Sequence, residues 1–333
     1  MKVLLYTENE KVLSKSGLGK AIEHQKALLN LVNVKYTTDI FDSYEIAHIN
    51  FYGLKSFLLS KYLKSKGKKI VYHAHSTEED FRNSFIFSNF VSKYFKKWII
   101  KCYSIGDVII TPTEYSKKLL KSYGIKNDIY VVSNGVETEI FKKTENAGKK
   151  FREKYEYTKT DKIVVGIGLF IERKGIIDFV ELAKRMPKYK FIWFGYSPLI
   201  LANKKVRNAI NTRLDNLKFA GYVDRKTIIE ALNGCDVYLG ITYEETEGIP
   251  VIEAASCKTK MIVRDIPVFN GWLEDKQNVY KANNINEFEQ LIEKVVNDKL
   301  PLLTDKAYEI AKQRSYMNIG RKLKDIYMSL MEK

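Results

Sequence analysis

Short apolar runs alternate with helix-compatible segments along most of the chain, and this alternation restricts the fold more than any other feature. In the first half, strands are predicted at 2–6, 45–51, 69–75, 107–111 and 128–133. In the second half, strands are predicted at 162–170, 190–195, 217–223, 236–242 and 260–264. The alternation favours doubly wound parallel sheets. Two similar halves predict an α/β protein with two Rossmann-like domains facing a ligand-binding cleft.

Length and composition fit two soluble domains. The chain has 333 residues, 45% hydrophobic and 29% charged, which is ample material for two cores. A polar, charged run at 142–162 is the predicted linker, and a long basic helix is predicted at 305–332. We therefore predict an N-terminal domain at 1–152, a C-terminal domain at 153–310, and a final helix at 311–333 that returns to the N-terminal domain.

Cysteine usage and hydropathy favour the cytoplasm. Cys102, Cys235 and Cys257 are widely spaced and form no CxxC pair, so neither a disulfide framework nor a zinc site is expected. The apolar run at the start is too short for a signal peptide, and no run of 18 uncharged apolar residues is present.

The net charge indicates an anionic partner. Lysines and arginines number 56 against 40 acidic residues, which gives a charge of +16. Such a surface attracts nucleic acid, anionic lipid or a phosphorylated substrate. Zinc-finger spacing, RNP-like aromatic motifs and basic heptads are missing from the sequence, so no nucleic-acid partner is expected.

The stretch at 241–258 has the pattern of a phosphate-binding turn. It follows the strand at 236–242 and turns through Gly248 into a helix-compatible segment. Pro250 suits a first helical turn, where its missing N–H costs nothing. Backbone N–H groups around Gly248 and Ile249 are expected to face a phosphate, because helix N-termini attract anions.

Two pairs of charged residues accompany this turn. Glu245 precedes Gly248, and Glu253 lies about one turn into the helix-compatible segment. Both carboxylates could accept hydrogen bonds from sugar hydroxyls. Arg173 and Lys174 follow another strand and could neutralise a diphosphate. The alternative is a solvated acidic loop and a solvated basic turn. Because both pairs are predicted at strand ends of one sheet, nucleotide-sugar binding is favoured.

Two further features fall at strand ends of the first half. Gly17 and Gly19 belong to a glycine loop at 14–21, which is incomplete both as a Walker A motif and as a dinucleotide fingerprint. His75 ends a strand, where ligand crevices form in open α/β sheets. For the loop and for the histidine, a ligand-binding role and a structural role are about equally consistent with the sequence.

The segment 81–103 is amphipathic when placed on a helix. One stripe holds Phe87, Val91, Tyr94, Trp98 and Cys102, and the opposite side holds Lys93, Lys96 and Lys97. The helix could pack on the sheet with its lysines in water. Alternatively, it could lie at a membrane surface with its lysines drawn to anionic lipid. The candidate membrane and acceptor contacts are Phe87, Lys93, Tyr94, Lys97 and Trp98.

Together these motifs resemble the retaining glycosyltransferases of family 4, which have the GT-B fold. The matches are the Gly17-Leu-Gly19 loop, His75, Ser133-Asn-Gly-Val-Glu137, Arg173-Lys174-Gly175, and the Glu-x7-Glu pair of Glu245 and Glu253. The runs His75-Ser-Thr-Glu-Glu-Asp-Phe-Arg82 and Gly168-Leu-Phe-Ile-Glu-Arg-Lys-Gly175 are similar to those of the Gram-positive glycolipid synthases. Those enzymes add a second hexose, commonly galactose, to glucosyl-diacylglycerol.

The resemblance implies a role for each matched residue. Glu253 would hold ribose hydroxyls and Glu245 the donor sugar, with Gly248 and Ile249 near the phosphates. Arg173 and Lys174 would neutralise the diphosphate, under the loop of Gly17 and Gly19. His75 and Glu245 are the candidate catalytic residues. The sequence departs from the family at Leu169, Glu137 and Glu247, where arginine, aspartate and phenylalanine are usual.

The implied activity is transfer of galactose or glucose from a UDP-hexose to a lipid acceptor such as glucosyl-diacylglycerol. It would take place at the anionic inner face of the cell membrane, to which the protein would bind peripherally, without a metal or other cofactor. One alternative is a transferase for cell-surface polysaccharide or another acceptor. An alternative of another class is a non-catalytic nucleotide- or nucleic-acid-binding module, which only basicity and glycines support.

Overall fold

The chain divides into two compact units. The computed structural model describes residues 1–8 and 17–332. The first unit comprises 1–81, 89–135 and the residues from Arg314 onward. The second unit comprises 82–88 and 136–313. Residues 136–152, which the sequence analysis placed in the N-terminal domain, thus belong to the second unit.

The units are built from parallel strands and their connecting helices. The strands are β1 (Lys2–Tyr6), β2 (Lys35–Thr37), β3 (Ile46–Ile49), β4 (Lys69–His73), β5 (Val108–Thr111), β6 (Asp128–Val131), β7 (Ile163–Ile167), β8 (Lys190–Phe194), β9 (Leu217–Gly221), β10 (Val237–Gly240), β11 (Met261–Arg264) and β12 (Tyr280–Ala282). The α-helices are α1 (Gly17–Leu31), α2 (Leu54–Ser65), α3 (Glu78–Phe81), α4 (Ser88–Tyr103), α5 (Glu114–Ser122), α6 (Glu145–Lys154), α7 (Ile176–Arg185), α8 (Lys204–Ile210), α9 (Arg225–Gly234), α10 (Ile249–Ser256), α11 (Ile285–Val296), α12 (Thr304–Gln313) and α13 (Tyr316–Glu332).

The first sheet is parallel, with the strand order β2-β1-β3-β4-β5-β6. Strands β3 and β5 are buried at every position, as expected when helices cover both faces of a parallel sheet. One apolar cluster joins the sheet to α1 and α13 through Leu28 and Leu323. A second cluster joins other strand residues, such as Tyr72, to Tyr103 of α4 and Leu120 of α5.

The second sheet is also parallel, with the order β12-β11-β10-β7-β8-β9. Its core is rich in aromatic residues, among them Phe179, Phe191, Trp193 and Phe288. The direction in which the chain adds strands reverses between β7 and β10. In open α/β sheets, ligands bind at the carboxyl ends of the strands that flank such a reversal.

All ten predicted strands are present, with ends within three residues of the predicted ones. Strands β2 and β12 were not predicted. Each has three residues and lies at an edge of its sheet, so each is too short to show a hydrophobic period.

Three predictions about helices were wrong. The predicted linker contains α6, which packs closely on α9: a Cβ added at Gly148 would lie 2.7 Å from the carbonyl oxygen of Asn233. The predicted helix at 305–332 is two helices, α12 and α13, that are separated at Arg314 and Ser315. Helix α4 begins only at Ser88, because Phe87 has a φ of 66°, outside the helical region.

Helix α1 begins at Gly17, within the segment 14–21 that was predicted to be a glycine loop. Gly17 and Gly19 therefore lie in the first helical turn rather than in a loop. The rest of the predicted glycine loop, 14–16, lies outside the described residues.

None of the helices within residues 1–8 and 17–332 is both long enough and apolar enough to cross a membrane.

Candidate active site

The turn after β7 lies directly against the chain that follows β10. It passes through a 3-10 turn, Glu172–Lys174, to Gly175, whose φ is 79°. A Cβ at Gly175 would lie 2.3 Å from the carbonyl oxygen of Ile241, so glycine is required there. Tyr243 donates its backbone N–H to the carbonyl oxygen of Arg173 over 2.8 Å. This packing brings the cations of one turn beside the acidic loop of the other.

Lys174, Arg173 and Glu245 form a charged cluster at this point. The ammonium of Lys174 forms an ion pair with Glu245, and Nη1 of Arg173 lies 3.7 Å from the other oxygen of that carboxylate. Arg173 also donates to the carbonyl oxygen of Glu244 at 2.7 Å and to Oγ of Ser84 at 3.2 Å. All three charged side chains are at least four-fifths buried.

The cluster keeps Glu245 ionised. Burial by itself raises the pKa of a carboxyl, but the charges of Lys174 and then Arg173 outweigh it and hold the pKa of Glu245 below its ordinary value. An ionised carboxylate accepts hydrogen bonds and donates none. Glu245 is therefore equipped to hold hydroxyl groups.

A cavity opens beside this cluster at the carboxyl ends of β7 and β10. Its lining includes Lys174, Glu245 and Gly248, together with Trp193 and Tyr238. The cavity brings together predicted residues from two loops that are about 70 positions apart in the sequence, and adds two aromatic residues that the sequence analysis did not select.

The helix predicted after Gly248 is α10. Gly248 precedes it with a φ of 92°, and Pro250 lies in its first turn. Glu253 is half-buried within α10. Burial, followed by the negative charges of Glu245 and Glu253, raises the pKa of Tyr238. Both carboxylates thus act on one tyrosine that lines the cavity.

A network behind the acidic loop, built on the buried Asp178 and Arg264 and the exposed Tyr243, was missed by the sequence analysis. Arg264, on β11, donates to Asp178 over 2.5 Å, and the hydroxyl of Tyr243 donates to the same carboxylate over 2.6 Å. The guanidinium of Arg264 stacks on the ring of Tyr243 and donates to the carbonyl oxygen of Ile241. The network fixes the backbone that leads to Glu245. In the sequence, the one feature that could have indicated this network was an arginine at the end of the apolar run at 260–264.

His75 lies in the first unit, just beyond β4. Its Nε2 is 2.9 Å from Oδ1 of Asn50, and its ring stacks on His73 with centroids 3.8 Å apart. Burial lowers the pKa of His75 to about 3, so the ring is neutral at physiological pH.

The candidate membrane residues divide into two groups. Phe87, Lys93, Tyr94 and Lys97 are exposed. Trp98 instead is half-buried: it packs on Phe57 and donates its indole N–H to the carbonyl oxygen of Tyr52 over 2.6 Å. Trp98 therefore presents only part of its surface for the predicted membrane or acceptor contact.

Within the part of the chain that the structure describes, no group of three or more histidine, cysteine, aspartate or glutamate side chains is arranged to hold a metal ion.

Comparison with known proteins decides the family. Residues 148–314 match the family "Glycosyl transferases group 1", and residues 20–140 match "Glycosyltransferase Family 4". A processive diacylglycerol alpha-glucosyltransferase of Acholeplasma laidlawii is 39% identical over 333 residues, which cover 100% of this chain and 99% of that protein. The chain belongs to glycosyltransferase family 4. It is an enzyme of hexosyl transfer, as the resemblance implied.

Two further comparisons agree with this family 4 assignment. An alpha-galactosylglucosyldiacylglycerol synthase of Streptococcus pneumoniae (strain ATCC BAA-255 / R6) is 24% identical over 291 residues, 85% of this chain and 77% of that protein. The crystal structure of Anabaena HepE in complex with UDP and glucose aligns with a TM-score of 0.79 at 16% identity, covering 99% of this chain and 100% of that one. The latter is a likeness of fold alone. The predicted α/β fold of two Rossmann-like domains, GT-B, is confirmed.

Proposed function

We propose that this family 4 enzyme transfers a hexose, with retention of configuration, from a UDP-sugar to a glycolipid acceptor. The observation that carries the proposal is the cluster of Lys174, Arg173 and Glu245 beside the N-terminus of α10. Cations and a helix N-terminus suit a diphosphate, and the ionised carboxylate suits a sugar. The names of the relatives, one a diacylglycerol glucosyltransferase and one a galactosylglucosyldiacylglycerol synthase, support a lipid acceptor.

The donor roles follow from side-chain chemistry. Lys174 has three N–H donors, so it can contact a phosphate oxygen while it stays paired with Glu245. Glu245 accepts hydrogen bonds from hydroxyls of the hexose. Glu253 accepts them from the ribose, and the amides of Gly248 and Ile249 face the phosphates.

Charge stabilisation at the leaving group accounts for the chemistry. As the bond from the anomeric carbon to the diphosphate breaks, negative charge grows on the departing phosphate. Lys174, Arg173 and the start of α10 stabilise that charge, so the proposal needs no metal ion. The departing phosphate takes the proton of the acceptor hydroxyl, which attacks from the same face and gives retention. In this scheme, neither Glu245 nor Glu253 attacks carbon.

The acceptor is proposed to reach the enzyme at an anionic membrane surface on the cytoplasmic side. In α4, Phe90 and Tyr94 are 79% and 70% exposed, beside the exposed Lys93 and Lys97. In α2, which contacts α4 through Phe57 and Trp98, the exposed apolar residues are Leu54, Leu58 and Tyr62. Apolar residues flanked by lysines are typical of a surface that binds anionic lipid.

Charge reversal on α4 should weaken binding to vesicles. Each lysine near an anionic membrane contributes about 1 kcal/mol, so Lys93→Glu combined with Lys97→Glu is expected to lower binding at least 30-fold. The measurement is co-sedimentation with vesicles that contain phosphatidylglycerol, at low and at high salt. The control pair, Lys150→Glu with Lys159→Glu, makes the same charge change at exposed positions of the second unit. Equal losses in both pairs would remove α4 as the membrane contact.

Product analysis tests the function. UDP-glucose and UDP-galactose are each offered with diacylglycerol or glucosyl-diacylglycerol in anionic micelles. We expect a glycosyl lipid from one donor, with glucose favoured by the name of the full-length relative. Release of UDP with a soluble sugar acceptor, and no lipid product, would retain the transferase and reject the lipid acceptor.

A further inference from the structure

Buried polar side chains connect α13 with His75 in the first unit. They are at most 4% exposed and form a continuous series of hydrogen bonds, through Tyr327, His48, His73, Gln25 and Asn50. A buried series of this kind fixes the proton on each of its members, because every donor must face an acceptor.

The direction of the series is set at Tyr327. The phenol is fully buried, which raises its pKa well above the ordinary value, so it keeps its proton. Its one hydrogen-bond partner among residues 1–8 and 17–332 is Nδ1 of His48. The phenol therefore donates to Nδ1. His48, whose pKa burial lowers to about 3, is neutral and carries its proton on Nε2.

Each following contact then has one possible direction. Nε2 of His48 donates to Nδ1 of His73 over 3.0 Å, so Nδ1 of His73 is an acceptor. The amide of Gln25 lies 2.7 Å from the same nitrogen, so its N–H is the donor and shares the single lone pair of Nδ1 with His48. The second N–H of that amide donates to Oδ1 of Asn50 over 2.8 Å.

The series ends by fixing the tautomer of His75. Oδ1 of Asn50 lies 2.9 Å from Nε2 of His75. Since an amide oxygen can only accept, His75 carries its proton on Nε2 and has a lone pair on Nδ1. In the described part of the chain, no side chain or backbone group donates to that lone pair.

Some polar atoms of the series make no hydrogen bond within the described residues. Three of its buried atoms have no partner among the described residues: Oε1 of Gln25, Nδ2 of Asn50 and Nε2 of His73. Buried polar atoms of native proteins are normally satisfied by protein, water or ligand. Each of these three buried atoms can take one further hydrogen bond.

We propose that Asn50 is a positioning residue that holds His75 as the Nε2–H tautomer, so that Nδ1 is kept as the acceptor of a hydrogen bond from a substrate hydroxyl. The role of Nδ1 rests on the function proposed above, whereas the tautomer rests on the geometry of the first unit alone.

Nitrogen NMR of the imidazole rings tests the tautomer directly. The chain has four histidines, and His75→Ala identifies the signals of one of them. In the full-length protein labelled with ¹⁵N-histidine, His75 should give the pattern of a neutral Nε2–H ring at pH 7. In Asn50→Leu, the two tautomers should become mixed. A His75 that stays purely Nε2–H in the variant, or is Nδ1–H in the wild type, overturns the proposal.

Kinetics test the consequence. Loss of the group that orients a metal-bound imidazole typically costs 10- to 100-fold. For the metal-free His75 we expect a loss of similar size, so Asn50→Leu should lower kcat for hexose transfer by about that factor, with a smaller change in KM. Asn50→Asp keeps the acceptor oxygen but favours the imidazolium and raises the pKa of His75. Its activity should therefore be retained at high pH and lost as the pH falls through the raised pKa, because a protonated Nδ1 cannot accept.

Ile70→Ala is the stability control, since Ile70 is a buried core residue of β4, the strand that leads to His75. It should lower the melting temperature and leave the pH profile and the His75 tautomer unchanged. A wild-type protein that transfers no hexose would refute the proposed function, whereas the tautomer measurement would still decide the role of Asn50. Unchanged kcat in Asn50→Leu would overturn that role.

Discussion

Lys174→Met is expected to lower kcat/KM for hexose transfer by about 100- to 1,000-fold, the typical cost of removing one group that stabilises transition-state charge. Lys174 pairs with Glu245 and lines the cavity between the ends of β7 and β10. Methionine keeps most of its volume and removes its charge. Arg173 remains within 3.7 Å of the carboxylate, so the fold should survive. Initial rates over a range of UDP-sugar concentrations give the comparison.

Two further variants show whether charge at this position is the cause. Lys174→Arg keeps the charge and should recover part of the activity. Lys184→Met makes the same change at an exposed lysine of α7 and should leave the rate unchanged. A Lys174→Met enzyme with the wild-type kcat/KM would contradict the assignment of the diphosphate site.

Asp178→Ala is expected to lower the free energy of unfolding by about 3–5 kcal/mol, the usual cost of leaving a buried charge without its partner. Arg264 has a side chain that is 6% exposed, and Asp178 is its carboxylate partner. The same change removes the acceptor of the Tyr243 hydroxyl. Urea denaturation followed by circular dichroism measures the difference.

The matched control is Glu181→Ala on the same helix, where the carboxylate pairs with exposed Arg185. Exposed pairs contribute about 0–1 kcal/mol, so little change is expected. Replacing both buried partners, with Asp178→Leu and Arg264→Met, should recover part of the loss because no unpaired charge remains. A loss below about 1 kcal/mol in Asp178→Ala would show that the pair does not stabilise this region.

The sequence was sufficient for the features that local patterns determine. Buried parallel strands such as β5 are short apolar runs, and they were placed correctly. The Glu245–Glu253 spacing and the Arg173-Lys174 pair follow strands, and strand ends of one sheet lie near each other. The cavity lining therefore includes Lys174, Glu245 and Gly248, three residues that the sequence analysis had selected as donor-binding candidates.

What the sequence did not reveal depends on tertiary contacts. Helix α6 is highly charged, and its stability comes from buried Phe151 and from the close contact of Gly148 with α9. The helical pattern of the sequence continues without interruption across the point where α12 ends and α13 begins. The partners Asp178 and Arg264 are 86 positions apart, so no local pattern connects them.

The histidine series is a second example of non-local assembly. Tyr327 and His48 are 279 positions apart, and each histidine alone resembles an ordinary core residue. His73 and His75 are two positions apart at the end of β4, so period-two alternation puts them on the same side, in agreement with their stacked rings. The proton positions became assignable only when the whole series was present.

The central claim is retaining transfer from a UDP-sugar to a lipid, and the anomeric configuration of the product tests it most directly. The enzyme is incubated with ¹³C-labelled UDP-α-glucose and diacylglycerol in anionic micelles, and the anomeric proton coupling of the labelled lipid product is measured by NMR. We predict an α-linked glucosyl lipid. A β-linked product would contradict retention, and the absence of any labelled lipid, with UDP-galactose equally inactive, would contradict the proposed reaction.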